Sequence, residues 1–186
     1  MTELVFFLEE PSAKEMLQGV LPRLLPETVQ VRYVVFKGKQ DLEKRLPIRL
    51  KAWLQPDAQF VVMRDQDSGD CRAIKQALRQ KCTDAGRPKT LVRIACRELE
   101  SFYLGDLNAV AQTVGSANLP RLQNKAKFRN PDALGNPAEE LKKRVPTYQK
   151  IAGSRAIGPL LDLEQNRSSS FKALIDGVRR LVGETG

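Results

Sequence analysis

Four short apolar runs fall within the first hundred residues, at 4–8, 29–36, 60–63 and 91–96, and the segments between them repeat their apolar residues at helical spacing. Strands separated by helices cannot pair as tight hairpins. The pattern therefore predicts an α/β layer with a largely parallel four-stranded sheet, flanked by helices and joined by right-handed crossovers. The first run stops at Glu9-Glu10-Pro11. Ser12 with Glu15 then fits a capping box, with Met16, Leu17, Val20, Leu21 and Leu24 following at helical spacing as far as Pro26. After the second run Lys37-Gly38-Lys39 reads as a turn, Asp41 is a candidate cap for the next helix, and Pro47 predicts a break or kink within it. A third helix over 71–85 ends at Gly86 and Pro88.

Beyond Leu99 the strand signals stop. Residues 101–114 and 137–145 read as helical, the stretch between them is rich in Gly, Asn, Pro and basic residues, and 170–182 is amphipathic with Phe171, Leu174, Ile175, Val178 and Leu181 on one side. The expected organisation is an α/β core over 1–114 with a basic, mostly helical extension over 115–186 packed on it as one unit.

Charge is divided unevenly along the chain. Residues 1–70 carry 10 Lys/Arg against 11 Asp/Glu, whereas residues 71–186 carry 21 against 11, and the overall formal charge is +9. A basic half beside an acidic cluster suits a protein that holds a polyanion near a cation, although solvated helix faces give the same composition. There are no histidines. That excludes histidine-dependent triads, HExxH zinc sites and histidine-based nuclease motifs, leaving carboxylates, lysine, arginine, hydroxyls or a bound metal for any chemistry. Cys71, Cys82 and Cys96 lack CxxC spacing and read as reduced thiols. No apolar run reaches membrane-spanning length and the opening residues do not resemble a secretory signal, so a cytoplasmic protein without a membrane partner is expected.

Ligands of open α/β sheets bind outside the carboxyl ends of the strands, and three of these strands deliver acids there. The first ends in Glu9-Glu10, the third in Asp65 and Asp67, and the fourth is followed by Glu98 and Glu100. Asp65 and Asp67 share a face if the strand continues through Asp67. Glu98 and Glu100 share one only while the chain stays extended, and Glu98, nearer the strand end, is the preferred member. Converging oxygen ligands suit Mg2+ or Mn2+, which bind phosphate while keeping several waters. Each element has a plainer alternative. Glu9-Glu10 also fits a solvated strand end, Asp70 a helix cap, and Glu98 an ion pair with Arg97 or Arg93. Basic candidates for substrate charge are Arg97 at the same edge and Arg167 with Ser168 in Asn166-Arg167-Ser168-Ser169-Ser170, a segment that equally fits a helix N-cap.

A glutamate ending the first strand with Asp-x-Asp ending a later one resembles the Toprim (topoisomerase-primase) fold. More closely, the stretches 7–12, 64–71, 97–106 and 166–171 (FLEEPS, RDQDSGDC, RELESFYLGD, NRSSSF) resemble the DUF4276 family, a domain of unknown function, over most of the chain. That resemblance implies a Toprim-like fold similar to the Toprim domains of overcoming-lysogenization-defect nucleases. It implies metal held by Glu9, Asp65 and Asp67 and an ATPase partner in bacterial anti-phage defence; Glu98, from its place at the same sheet edge, is the candidate to complete the catalytic set. The expected activity is a metal-dependent phosphodiesterase or nuclease acting on nucleic acid. The rival is a non-catalytic, nucleic-acid-binding or partner subunit of an ATPase complex with a degraded Toprim site. One departure stands out: Glu10 occupies the position where a glycine commonly follows the Toprim glutamate.

Overall fold

A computed structural model describes residues 2–183. The first hundred residues form β1 (Thr2–Leu8), α1 (Pro11–Val20), β2 (Val29–Val35), α2 (Lys39–Lys51), β3 (Gln59–Asp65), α3 (Cys71–Asp84) and β4 (Leu91–Ala95). All strand pairs are parallel and the order is β2-β1-β3-β4, so β1 and β3 are central. The carboxyl ends of these two neighbours are the ends that carry Glu9 and Asp65.

Alternation along the strands sets the two layers. Leu4, Phe6 and Leu8 of β1 with Val61 and Met63 of β3 face one helical layer, whereas Val5, Phe7, Phe60 and Val62 face α2 and α3. After β4 come α4 (Glu100–Leu104), α5 (Leu107–Val114), α6 (Ala126–Arg129), α7 (Pro137–Arg144), α8 (Lys150–Ile157) and α9 (Ser169–Gly183). These supply the first layer together with α1, in a core that runs from Met16 and Leu17 through Phe102 and Tyr103 to Phe171 and Ile175. Short helical turns carry the chain between Gly115 and Asn136, where Leu119, Phe128 and Pro131 are buried.

Several local expectations are corrected. α1 starts at Pro11, one residue before the expected capping box takes effect; its N-cap is Glu10, and Ser12 donates its hydroxyl to Glu10 Oε1 at 2.6 Å. Glu15 pairs with Arg155 instead. The helix also ends earlier than Pro26, at Val20, passing into a single 3-10 turn over Leu21–Arg23. Gly38, at φ 94°, caps α2 in place of Asp41, whose carboxylate accepts the Lys37 N–H from within the first turn. Pro47 does not interrupt α2, because Leu42, Leu46 and Leu50 are buried on both sides of it and hold the helix to the sheet. The helix expected over 101–114 is two helices, since Asp106 accepts the Ala109 N–H and starts α5 afresh.

Candidate functional site

β3 stops at Asp65, so Asp65 and Asp67 do not share a strand face. Asp67 turns out at φ 55°, a left-handed conformation that aspartate tolerates better than most residues. The turn is imposed by a neighbouring loop. Asp67 N–H donates to Arg97 O at 2.7 Å, Gln66 N–H donates to Ala95 O, and Arg97 N–H donates to Gln66 Oε1. Arg97 is itself left-handed, at φ 61°, and its guanidinium donates to Asp67 O. Two non-glycine residues in a sparsely populated conformation thus abut at the carboxyl edge, held there by the lacing of two loops.

The side chains at this edge divide into an inner and an outer group. Asp65 faces inward and is 9% exposed. Burial pushes its carboxyl well above the ordinary aspartate range, and the charges of Glu10, Glu9 and Glu100 push it further, against one opposing hydrogen bond from the Leu99 N–H. Glu9 accepts the Asp65 N–H at 2.9 Å, and burial likewise raises its pKa despite that bond and the nearby Arg64. Glu100 is fully buried; Tyr148 donates its hydroxyl to Oε1 at 3.0 Å, and Oε2 has no hydrogen-bond partner. Its pKa too is raised by burial, with Lys150 opposing. Lys150 is 3.6 Å from Glu10. Burial works against its ammonium, but Glu100, Glu10, Asp65 and Glu98 together outweigh that and hold its pKa above the usual lysine value. Tyr103, wholly buried, donates to Ser154 and walls the inner side.

The outer group is Asp67 with its cations. Lys39 Nζ lies 2.8 Å from Asp67 Oδ2, and the buried Arg64 approaches the same oxygen at 3.9 Å while pairing with Glu43. Glu10 folds back onto Ser12 and Lys150, and its extended backbone (φ −146°, ψ 159°) makes no demand for glycine.

The remaining residues singled out from the sequence lie elsewhere. Glu98 is turned toward α7, where its carboxylate accepts the Ala138 N–H at 2.8 Å. Arg167 borders a separate groove of about 570 Å³ that also contains Arg23, Asp106 and Asp162, and it donates to Asn124. Ser168 is fully buried; its hydroxyl donates to Asp132 and accepts the Phe171 N–H, which makes it the N-cap of α9. Asn166 anchors this segment to α4 by donating to Phe102 O, while Arg167 N–H donates to Gly105 O. Gly105 leaves no room for a Cβ there, which would lie 2.2 Å from Asn166 Oδ1.

Glu100, Tyr148 and Lys150 are thus the site residues that sequence reasoning passed over. Glu100 was visible beside Glu98, and the start of α4 carries it into the buried cluster; Tyr148 and Lys150 carry no local signal. The ligand atoms the acids offer at this edge are all oxygen, as a hard divalent cation requires, and Glu100 Oε2 is buried without a hydrogen-bond partner. Among the described residues, however, no three acidic or thiol side chains are gathered closely enough to hold a metal ion by themselves.

A family model described as Domain of unknown function (DUF4276) matches residues 8–179. The chain belongs to this family. The matched span contains Glu9, Glu10, Asp65, Asp67 and Glu100, the loop lacing and the α9 cap of this DUF4276 chain. Comparison with curated proteins finds no match. Among solved structures the chain is similar to the C-terminal region of the Burkholderia pseudomallei OLD protein, with a TM-score of 0.59 and 15% identity over 96% of this chain and 98% of that one. At that identity the likeness concerns the fold, a Toprim-like parallel sheet flanked by helices. Among the described residues of this DUF4276 domain, no helix is long and apolar enough to cross a membrane.

Proposed function

We propose that the carboxyl edge of the sheet is a divalent-cation-dependent site for phosphodiester hydrolysis on nucleic acid. The observation that carries the reading is the buried carboxylate Asp65, ringed by Glu9, Glu10 and Glu100 with Lys150 beside them. Burying like charges together is costly unless something offsets it, and strongly shifted acids cluster where chemistry is sited.

In this reading Asp65 and Glu9 hold Mg2+ or Mn2+, and Glu100 offers its partnerless Oε2 while Tyr148 fixes the other oxygen. Two or three protein oxygens suffice, because Mg2+ keeps several waters and takes further ligands from phosphate. The bound cation would polarise the phosphate and lower the pKa of a water for attack on phosphorus. Asp67 would join from the solvent side by exchanging Lys39 for the cation, with Arg97 beside it to face substrate phosphate. Lys150 balances charge on the inner acids. Glu98, Arg167 and Ser168 act at a distance in this scheme, holding α7, the second groove and α9.

The resemblance to overcoming-lysogenization-defect nucleases extends the proposal to an ATPase partner and a role in bacterial defence. A second reading, a non-catalytic subunit of such a complex, draws on the Lys39–Asp67 ion pair and the absence of a ready-made three-carboxylate group among the described residues. Incubating the protein with labelled DNA and RNA in Mg2+ or Mn2+, with and without EDTA, separates them. Cation-dependent cleavage that disappears in Asp65→Asn supports the first reading. Cleavage unchanged in that variant overturns the site assignment, and none under any condition with intact nucleic-acid binding favours the second.

A further inference from the structure

At the amino end of β4 lies a cleft of about 810 Å³ whose chemistry is opposite to that of the acid edge. Six cations line it: Lys75 and Arg79 from α3, Arg87 and Lys89 from the turn before β4, Arg93 from β4 and Arg180 from α9. Among the described residues, none that lines it is acidic, and none of the six cations is in an ion pair.

The topology explains the gathering. β4 is an edge strand with α3 packed on one face and α9 on the other, and both helices begin near its carboxyl end and run back toward its amino end. Their later turns, with Arg79 and Arg180, therefore arrive at the same place. Arg93 is held between them by donating to Ala173 O at 2.8 Å and Val92 O at 3.0 Å. Gly177 makes the space, since a Cβ there would meet the Arg93 guanidinium at 2.6 Å. Arg87 lies over the Phe60 ring, 5.1 Å from its centroid. Burial, then Arg180 and Arg79, depress the Arg93 pKa, and the carboxylate that opposes them is Asp176, exposed and near Arg179.

A third feature connects the cleft to the other end of the sheet. Arg72, Lys75 and Arg79 are spaced i, i+3 and i+7, so they form one stripe along α3. From Arg72 to Arg79 the stripe is about 10 Å long at 1.5 Å per residue, running from the start of α3 beside the acidic loop after β3 into the cleft.

We propose that this cleft and stripe are the docking surface for the phosphodiester backbone of nucleic acid, holding a polymer that extends to the acid edge. The proposal deepens the function inferred above and relies on it only for the fate of the bound strand. Charge rather than apolar area lines the cleft, and Phe60 is covered by Arg87, so it offers sequence-independent attraction to a continuous polyanion rather than the anchor pockets of a protein interface.

Fluorescence anisotropy of the full chain with labelled duplex DNA of about 30 base pairs, in EDTA and over a series of salt concentrations, tests this without requiring cleavage. Arg79 and Arg180 are exposed, so the R79E/R180E variant should fold as wild type, as circular dichroism would verify. Its affinity is expected to fall by at least about tenfold, and the slope of log K against log salt to shrink by about 2, at roughly 0.9 for each phosphate no longer neutralised. K44E/R49E, on the exposed side of α2, makes the same change in net charge and should leave both quantities within about twofold of wild type. Equal losses from the two variants, or unchanged binding in R79E/R180E, would each overturn the proposal. Wild-type-like DNA binding in R79E/R180E alongside cation-dependent cleavage rejects the cleft and keeps the proposed activity; lost binding with no cleavage by the wild type does the reverse.

Discussion

The two ends of the β-sheet handle charge in opposite ways. At the carboxyl end acids are drawn out of water and packed beside one another, with Glu100 fully buried and Asp65 nearly so. At the amino end of β4 cations gather in an open cleft and stay without ion-pair partners among the described residues. Burial is what separates them. A buried carboxylate cluster carries a desolvation cost that a bound cation relieves, which suits chemistry at a fixed point. The cleft cations, exposed or half-buried, keep much of their hydration, which suits capture of a long anion that is later released.

The comparison breaks first at Asp65 and Glu9. Asp65→Asn or Glu9→Gln should lower cation-dependent cleavage by more than about 100-fold, since even outer partners of a catalytic metal are typically worth roughly 10–100-fold. Duplex affinity in EDTA should stay within about twofold of wild type, because the acid end supplies no cation-independent attraction. Isothermal titration with Mn2+ and anisotropy with DNA, on the same preparations, read the two ends separately. A variant that loses both would show the ends to be one site.

Tyr148 offers a smaller and more diagnostic change. Its hydroxyl positions Glu100 and lowers the acid's pKa, so Tyr148→Phe should reduce kcat by about tenfold and move the acid limb of the pH–rate profile upward, as Glu100 then ionises less readily. A fall in kcat with an unmoved profile would leave Tyr148 a packing residue only.

Stability should respond to the same cluster. The folded-state pKa of Asp65 lies well above the ordinary aspartate value, so the native state binds its proton more tightly than the unfolded chain does. The stability this gives is present below the unfolded pKa and is lost as pH rises from there through the raised folded value. Glu9 and Glu100 act in the same direction. Asp65→Asn should therefore raise Tm at neutral pH by a few degrees, on the scale of about 2–4 °C per kcal/mol for a domain of this size, and flatten the dependence on pH. Saturating Mg2+ should raise the wild-type Tm and leave the variant's nearly unchanged. Thermal melts between acid and neutral pH read both effects.

How much of this the residues announced differs along the chain. The four strands and the acids at their ends were legible because each depends on a short apolar run stopped by charge, which is local information. The aim of Asp67 was not, because its left-handed turn is set by hydrogen bonds from a loop 30 residues away. Nor was the choice of Glu100 over Glu98, which depends on where α4 begins. α8 left little trace, since Lys150–Ile157 buries only Ser154 and Ile157 while Gly153 allows the close approach of Tyr148. The basic cleft was visible as an excess of charge after residue 70, but its location was not, because its cations come from four separate segments. Asn166-Arg167-Ser168 read as a phosphate site or a cap, and the burial of Ser168 places it with the cap.

The finest distinction lies at Lys39, the cation nearest Asp67 at the acid end. Exposed ion pairs add little to stability and are screened by salt, so Lys39→Ala should leave Tm within about 2 °C of wild type. Its effect should appear in metal affinity. Wherever Asp67 must give up Lys39 to reach a cation, the two compete, and removing the lysine should tighten Mn2+ binding by about two- to fivefold, most clearly at low salt. If the lysine instead holds Asp67 in the orientation the cation needs, the same substitution weakens binding. The sign of the change in an isothermal titration therefore decides whether the outer carboxylate is restrained or prepared. It also decides whether the acid end, like the cleft opposite it, works by leaving charge free for a ligand of opposite sign.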